Sequence, residues 1–371
     1  MPLDATTLLA GPRGRRVALE YARLCAERAR GAAQPTADQL ADPSDAWSAL
    51  WWAAIRLDPD TRALLTTSSV GRYHPGPDDG PIVTPADAAA ALDRVDLAAH
   101  TADDLRDMLA VSVDVARYWQ EPDADDILVG TDEIRHSLTR FAQAIAAAPQ
   151  AQWWSTGVDA ADQWTVGWSP SVGATDVATM LREWRSAVAD EESAAGRDRP
   201  ADPAASSSGE WWSIPFLPLV TTTRSLPGWG PAGLWFEEDS LGPQTAVALP
   251  VDVFATRVIE IDAPEDWVDL CRRHPIDVTA SRRHDWFRAT GRAGRWVIPD
   301  WSRVAQEADA VHLTVRGYLS AAGVAVPVAD DTASVIAGWN PDQTYWFRGA
   351  AVRHSDQQRW ARDDDGIWHR R

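Results

Sequence analysis

The stretch VIAGWNPDQTYWF, residues 335–347, joins an apolar run to a polar turn that two tryptophans flank. Asn, Pro and Asp, which open this turn, are residue types whose backbone preferences favour turns. Two large aromatic side chains at such a place either cover the end of a hydrophobic core or wall a ligand site. We expect Trp339 to lie in the core. We expect the turn to expose Asp342 and Gln343 beside Trp346, at the rim of a cleft.

The charge and composition of the chain exclude several function classes. Among 371 residues, 54 are acidic and 35 are basic, and the net charge is −19. A field of this sign repels phosphate backbones and anionic membranes, so we expect neither nucleic acid nor a membrane as a partner. No apolar run approaches the roughly 18 residues that a membrane-spanning helix requires. All 35 basic residues are arginines, which excludes Schiff-base lysine chemistry and P-loop nucleotide sites.

The N-terminal sequence and the two cysteines bear on the compartment. The segment MPLDATTLLAGPRGRR places its arginines after a short apolar run, which reverses the order found in a secretory signal. Cys25 and Cys271 lie far apart, and neither has a second thiol or a metal-ligand spacing nearby. These features predict a cytoplasmic protein with two buried, inert thiols rather than a disulfide.

Residues 1–150 carry the hydrophobic period of helices. In RRVALEYARLCAERAR, residues 15–30, apolar side chains recur on one face and arginines occupy the other. Similar periods follow along the chain, and a turn-rich sequence, GRYHPGPDDGP at 71–81, separates two of them. The region is predicted to be a helical bundle without a catalytic constellation.

Residues 151–371 change to short strands punctuated by tryptophan, with few helices. Helices are predicted to begin at Pro264 and after the cap residue Asp300. Several strands follow one another without a crossover helix, which favours an α+β fold with a mostly antiparallel sheet. Residues 191–209 are rich in Ala, Ser, Pro and Asp and are predicted to be a mobile loop. The segments that predict strands include FLPLVTTTRS, AGLWFEE, TAVALPVDV, TRVIEID, GRWVIPD, AVHLTV and TASVIAGW.

Tryptophan is unusually frequent, with 21 residues against 6 Phe and 5 Tyr. An indole buries a large ring while its N–H requires an acceptor, so it suits cores with polar edges and sites that stack on ligand rings. So many tryptophans cannot all line one site. Most are therefore predicted to belong to the core.

Three further features leave alternatives open. The glycines of PGWGPAGLWFEED, residues 227–239, precede strand-like sequence, which favours a loop that lets backbone approach a ligand over a dinucleotide fingerprint. The arginine-rich residues 272–296 either bind phosphate or pair with carboxylates. In AVHLTV, His312 and Thr314 share one strand face, where the histidine is either structural or catalytic. His274 and His284 lack partners at metal-ligand spacing, so no metal site is predicted.

Four motifs together resemble an uncharacterised actinobacterial and phage-type protein family that carries GLW, DWxxVA and GW(D/N) sequences. They are GLW at 233–235, RVIEID at 257–262, PDWSRVAQEADAVHL at 299–313 and AGWNPDQTYW at 337–346. This sequence departs from the family at residues 308–310 and at Asn340. The resemblance covers residues 216–347 and implies no established activity.

More distantly, the order of elements resembles the ADP-ribosyltransferase fold, a split antiparallel sheet that binds NAD in a cleft. The resemblance implies that Arg224, on the first core strand, contacts NAD. It also implies a late-strand glutamate that activates the acceptor, but no glutamate follows Glu307. Asp342 and Gln343 lie nearest to that position.

Two functions of different classes are therefore expected. The first is an NAD- or nucleotide-binding protein that transfers or hydrolyses ADP-ribose, or a degenerate relative that only binds. Its cofactor-binding residues would be Arg224, Gly233, Trp235 and Trp346. Its catalytic residues would be Asp342, Gln343 and His312. The second is a non-catalytic protein-interaction module that uses a surface rich in Trp and Arg.

Overall fold

A computed structural model of the chain describes residues 3–31, 42–57, 80–167, 176–214, 219–240 and 242–371. The chain divides into two compact units. The helical unit comprises Pro2–Ser112 and Pro122–Gln152, and the α+β unit comprises Val113–Glu121 and Trp153–Arg371. The turn-rich sequence predicted at 71–81 lies outside the described residues except for its last two positions.

The first part of the chain is helical, as predicted. Thr84 begins the fourth helix with a capping box, in which its hydroxyl accepts a hydrogen bond from the backbone of Asp87 and the Asp87 carboxylate accepts one from the backbone of Thr84. The helices are α1 (Ala5–Ala10), α2 (Pro12–Arg30), α3 (Ala46–Leu57), α4 (Pro85–Leu92), α5 (Ala102–Asp114), α6 (Ala124–Val129) and α7 (Asp132–Ala147).

The arginines of α2 form a buried ion-pair network. The side chain of Arg16 is only 6% exposed. It donates to Glu20 at 2.9 Å and to Asp123 at 3.1 Å, and it lies 3.0 Å from Asp125. A buried guanidinium is tolerated only when carboxylates compensate for its lost hydration. These pairs therefore fix the start of α6 against α2.

The α+β unit builds two sheets. The larger has the order β14-β13-β4-β1-β2-β11-β8-β5, with β3 paired to β2 and β12 paired to β4, and the smaller has the order β6-β7-β10-β9. The helices are α8 (Val177–Asp198), α9 (Pro264–Arg273), α10 (Thr279–Thr290), α11 (Trp301–Glu307) and α12 (Val315–Ala321). The strands are β1 (Gln163–Gly167), β2 (Val220–Leu226), β3 (Gly230–Pro231), β4 (Thr245–Val253), β5 (Val258–Ile261), β6 (Pro275–Asp277), β7 (Arg295–Pro299), β8 (Ala310–Leu313), β9 (Val326–Ala329), β10 (Thr332–Ser334), β11 (Thr344–Trp346), β12 (Ala350–Val352), β13 (Gln358–Arg362) and β14 (Trp368–Arg370).

The predicted α+β class is confirmed, with one refinement of the sheets. Most described strand pairs are antiparallel, but β5 pairs with β8 and β7 pairs with β10 in parallel. The sheets are therefore mixed rather than purely antiparallel. The predicted helix starts at Pro264 and after Asp300 are confirmed, and the Asp300 carboxylate accepts a hydrogen bond from the backbone N–H of Ser302.

Three predicted segments differ from the structure. AGLWFEE contains a short 3-10 helix, Ala232–Leu234, rather than a strand, and the backbone N–H of Gly233 donates to the Thr223 hydroxyl at 2.9 Å. The strand AVHLTV ends at Leu313, because the Thr314 hydroxyl caps α12 instead. Residues 191–198, assigned to a mobile loop, are the end of α8.

The end of α8 is anchored by a carboxylate. Glu192 accepts hydrogen bonds from the backbone N–H groups of Ala280 and Ser281, at 2.7 Å and 2.8 Å. These N–H groups lie in the first turn of α10 and have no partner within their own helix. A composition rule cannot detect this contact, because it joins residues 88 positions apart.

Tryptophans form the core between α9, α11 and the turn before β11, as predicted. The ring centroids of Trp267, Trp301 and Trp339 lie 5.9–6.2 Å apart. All three rings are fully buried. The indole N–H of Trp339 donates to the backbone carbonyl of Gln343 at 3.0 Å, so this ring also closes the turn. The expectation that Trp339 belongs to the core is confirmed.

We expect Gly317→Ala to lower the free energy of unfolding by about 2 kcal/mol, the usual range for forced overpacking. A Cβ at Gly317 would lie 2.3 Å from the backbone carbonyl oxygen of Ile261, which cannot move without distorting β5. The matched control is Gly196→Ala in α8, where the nearest atom is 3.8 Å away and alanine favours the helix. Denaturant unfolding measures both. Equal effects of the two variants would contradict the prediction.

Candidate functional site

A row of polar side chains crosses the larger sheet. The register pairs Thr222 with Thr344, Thr344 with His312, and His312 with Glu260. Residues directly opposite each other on neighbouring strands share one face of the sheet. The row continues towards β1, because the Thr222 hydroxyl donates to the side chain of Gln163. The neighbouring strands β2, β11, β8 and β5 thus place polar side chains in one row, and β1 extends the row by Gln163.

His312 lies between two carboxylates at the charged end of this row. Its Nδ1 is 2.5 Å from Oε2 of Glu260, and its Nε2 is 3.4 Å from Oδ1 of Asp342. The side chains of His312 and Asp342 are 1% and 2% exposed, whereas that of Glu260 is 34% exposed. A protonated imidazole can donate to both carboxylates at once.

The carboxylates keep His312 protonated at neutral pH. Burial alone lowers the pKa of His312, but hydrogen bonds to Asp342 and Glu260 outweigh it and raise the pKa to about 9. Burial tends to raise the pKa of Asp342, but the hydrogen bond to His312 and the charge of Arg224 hold it below its usual value. The site therefore contains an imidazolium paired with carboxylates.

Arg224 holds the other side of Asp342. Its Nε donates to Oδ1 at 2.7 Å and its backbone N–H donates to Oδ2 at 2.9 Å. The backbone of Asp342 is left-handed, with φ of +60°. Non-glycine residues adopt this conformation rarely, and such strain persists where surrounding contacts compensate for it. The expectation that the turn exposes Asp342 is therefore wrong, because Arg224 and His312 engage its carboxylate inside the sheet.

The surface segment 156–158 covers this network. The guanidinium of Arg224 donates to the hydroxyl of Thr156 at 2.7 Å and to the carbonyl of Gly157 at 2.9 Å. The backbone N–H of Val158 donates to Oε1 of Glu260 at 3.0 Å. Arg224, which was predicted to contact NAD, is thus bonded to acceptors of its own chain. A ligand could reach it only by replacing those acceptors.

A cleft of about 400 Å³ lies against the opposite face of the same strands. Trp164 pairs with Thr223, one residue beyond Thr222, so both project away from the polar row. Among the described residues that line the cleft there is no arginine or histidine. The residues that line the cleft are Trp164, Val166, Thr221, Thr222, Thr223, Gly233, Glu237, Asn340 and Gln343.

The residues predicted from sequence separate into three groups. Arg224, His312 and Asp342 meet in the charged network. Gly233 and Gln343 meet in the cleft. The remaining two belong to the interior or its edge and line neither site.

Those two residues are tryptophans. Trp346 is 2% exposed and donates its indole N–H to the Thr222 hydroxyl at 2.7 Å, so it does not form a cleft rim. Trp235 packs against a buried cluster that includes Leu234 and Trp360, and it donates its indole N–H to a backbone carbonyl at 3.0 Å. Neither is placed to stack on a ligand in the cleft.

Glu260 is the site residue that sequence analysis missed. It lies within VIEI, where a carboxylate interrupts an apolar strand. Such an interruption is a usable signal, because an unpaired carboxylate is costly to place in a strand that is at least partly buried along its length. Its partner His312 is 52 residues away, and the parallel pairing that brings them together leaves no local trace.

The arginine-rich segment 272–296 pairs with groups of the protein itself. Arg282 is buried and donates to Glu191 and Glu210, both at 2.9 Å. Arg272 donates to a backbone carbonyl at 2.7 Å. Of the two alternatives for this segment, pairing with carboxylates is the one observed at Arg282.

Further predictions concern thiols, metals and membranes. Cys25 and Cys271 are both free and buried, and burial raises the pKa of the Cys271 thiol to about 12, which keeps it unreactive. Across the described residues, no group of three or more His, Cys, Asp and Glu side chains is placed to hold a metal ion. None of the described helices combines the length and apolar composition of a membrane span.

Comparisons of the chain with protein-family models, with curated proteins and with solved structures give no match. The resemblances to the phage-type family and to the ADP-ribosyltransferase fold stay predictions.

We expect stability to fall as pH rises from 6.5 to about 9. His312 has an ordinary pKa of 6.5 and a folded-state pKa of about 9, so its bound proton stabilises the fold fully below the first value. That contribution is lost as the pH rises through the folded-state pKa. The free energy of unfolding then falls by on the order of 3 kcal/mol. Denaturant unfolding at a series of pH values measures it.

Two variants test whether His312 causes this fall. In His312→Asn the decline should be much smaller, whereas the exposed control His136→Asn should retain it. An NMR titration of the imidazole protons provides the direct pKa. An unchanged pH dependence in His312→Asn would refute the assignment.

Proposed function

We propose that the α+β unit binds a nucleotide of the NAD or ADP-ribose type and holds its nucleoside part in the cleft beside Gln343. The observation that carries this proposal is the meeting of an acidic side chain and two amide side chains around one cavity walled by an indole. The space of about 400 Å³ includes the open mouth of the cleft, so the cleft itself can take at most one part of a dinucleotide.

Four of the lining side chains have a counterpart in a nucleoside. The carboxylate of Glu237 is an acceptor for the hydroxyls of a ribose. The amides of Asn340 and Gln343 combine a donor and an acceptor, the pattern that reads the edge of a base. The ring of Trp164 offers a face on which a base can stack.

The two amides differ in how they are held. The side-chain oxygen of Asn340 accepts a hydrogen bond from the backbone N–H of Glu238 at 2.9 Å, which fixes the orientation of that amide. The side-chain amide of Gln343 has no hydrogen-bond partner among the described residues. Gln343 is therefore the amide left available for a ligand.

The charge of the cleft favours the nucleoside part of a nucleotide over its phosphates. The described residues of its lining include the Glu237 carboxylate and no cationic side chain. Phosphate oxygens need donors or positive charge, so the pyrophosphate would extend out of the cleft. Adenosine should accordingly retain most of the affinity of NAD.

The same geometry supports binding rather than catalysis in the cleft. His312 and Asp342, the two members of the charged network whose pKa values are shifted, lie on the other side of the sheet. A degenerate, non-catalytic member of the predicted class fits this arrangement best. Transfer or hydrolysis of ADP-ribose stays a prediction, which an assay of NAD consumption tests.

We expect adenosine, ADP-ribose and NAD each to raise the melting temperature saturably and to bind in calorimetric titrations. Gln343→Leu should weaken all three by about tenfold, because one hydrogen bond to the ligand is lost. Gln306→Leu is the matched control, since that amide donates only to a carbonyl of its own helix, α11.

The outcomes separate binding from its location. No saturable binding of NAD or adenosine at millimolar concentration would overturn the proposed function. Binding that Gln343→Leu leaves unchanged would move the ligand out of this cleft.

A further inference from the structure

Residues of four helices of the helical unit, α2, α3, α5 and α6, line an open groove of about 1,070 Å³ with an apolar floor. Its floor consists of Leu24 from α2, Trp47 and Trp51 from α3, and Met108 and Val111 from α5. The two tryptophans are only half-buried, and Val111 is 41% exposed. Large apolar side chains left at the surface in one place mark interaction sites more often than scattered ones do.

The groove follows helix geometry. The α2 residues that line it stand at positions 20, 23, 24 and 27, and those of α5 stand at 104, 107, 108 and 111. Both sets have the spacing of a single helix face. No described strand contributes to the lining, so a peptide cannot be held here by adding a strand to a sheet edge.

The rim of the groove is acidic. Within the described part of the chain, Arg23 is the one basic residue of its lining. The carboxylates that line it are Glu20, Glu27, Asp104, Asp107 and Asp125.

One of these carboxylates, Glu27, feels the charges of Arg30 and Arg23 only at a distance and has no direct partner among the described residues. Asp125 pairs with Arg23 at 2.6 Å, and Asp104 pairs with Arg28 at 2.8 Å. Glu27 makes no hydrogen bond or ion pair with the described residues, and burial raises the pKa of its carboxyl group. A partly buried carboxylate gains most from a cation that a partner brings to it.

We propose that this groove binds an amphipathic helix of a partner protein, with apolar residues on the floor and lysine or arginine facing the acidic rim. Helix-in-groove recognition uses apolar anchors at i, i+3, i+4 and i+7, and the floor presents complementary ridges. The net charge of −19 steers a basic segment towards the protein. The proposal does not depend on the nucleotide cleft.

The test uses two fluorescent helical peptides of about 18 residues with the same leucine face, long enough to fill the groove. One carries lysine at the edges of its polar face and the other carries glutamate. Anisotropy is measured with the full chain at about 0.15 M salt, where long-range attraction is screened. The lysine peptide should bind with a Kd on the order of 10 μM, and the glutamate peptide at least about tenfold more weakly.

Substitutions in the groove test whether the lysine peptide binds there. Val111→Asp and Glu27→Arg should each weaken it at least about tenfold. The matched controls make the same changes elsewhere on the helical unit, as Ile82→Asp, at a side chain 82% exposed, and as Glu133→Arg on α7. Both controls should leave the affinity within about twofold of the unaltered protein.

Three results would overturn the proposal. The first is no saturable binding of the lysine peptide up to about 1 mM. The second is equal weakening by groove and control variants, which would indicate attraction to the acidic chain as a whole. The third is a dimer of the unaltered protein that Val111→Asp abolishes in sedimentation, which would assign the groove to a second copy of the chain.

Discussion

The buried carboxylate of Asp342 is the interaction on which the centre of the α+β unit depends. It accepts hydrogen bonds from the backbone and the guanidinium of Arg224 on β2, and it faces the imidazole of His312 on β8. Through His312 it also reaches Glu260 on β5. Without this carboxylate, a guanidinium and an imidazolium would remain in the sheet with too little negative charge around them. The left-handed turn before β11 is strained in order to supply it.

This network divides the sheet into two chemically different faces. One face gathers the charges and satisfies nearly all of them within the protein, which gives stability and a protonated histidine. The other face leaves an amide, a carboxylate and an indole around an open cleft. A charge cluster that is satisfied internally supports structure, whereas an amide without a partner among the described residues, at a concave surface, supports binding. This contrast is the reason for placing the ligand beside Gln343 rather than beside His312.

Local patterns in the sequence were sufficient where local physics decides the structure. The helix starts at Pro264 and after Asp300 follow from capping and proline geometry, and β4 follows from its run of apolar residues rich in valine. The burial of Asp342 could not be predicted. Turn propensity describes the backbone, whereas the burial depends on the contacts of the Asp342 carboxylate with Arg224 and His312. The pairing of Glu260 with His312 required the parallel contact of β5 with β8, which the intervening helices determine.

The cover formed by residues 156–158 links surface motion to a proton in the interior. The Val158 N–H and the imidazole of His312 bond to different oxygens of the same Glu260 carboxylate. Deprotonation of the imidazole would redistribute the charge that this carboxylate offers to the amide. The exchange rate of the Val158 amide hydrogen with solvent would then follow the ionisation of a side chain that solvent hardly reaches. The proton on His312 would thus affect both the stability of the sheet and the local opening of residues 156–158.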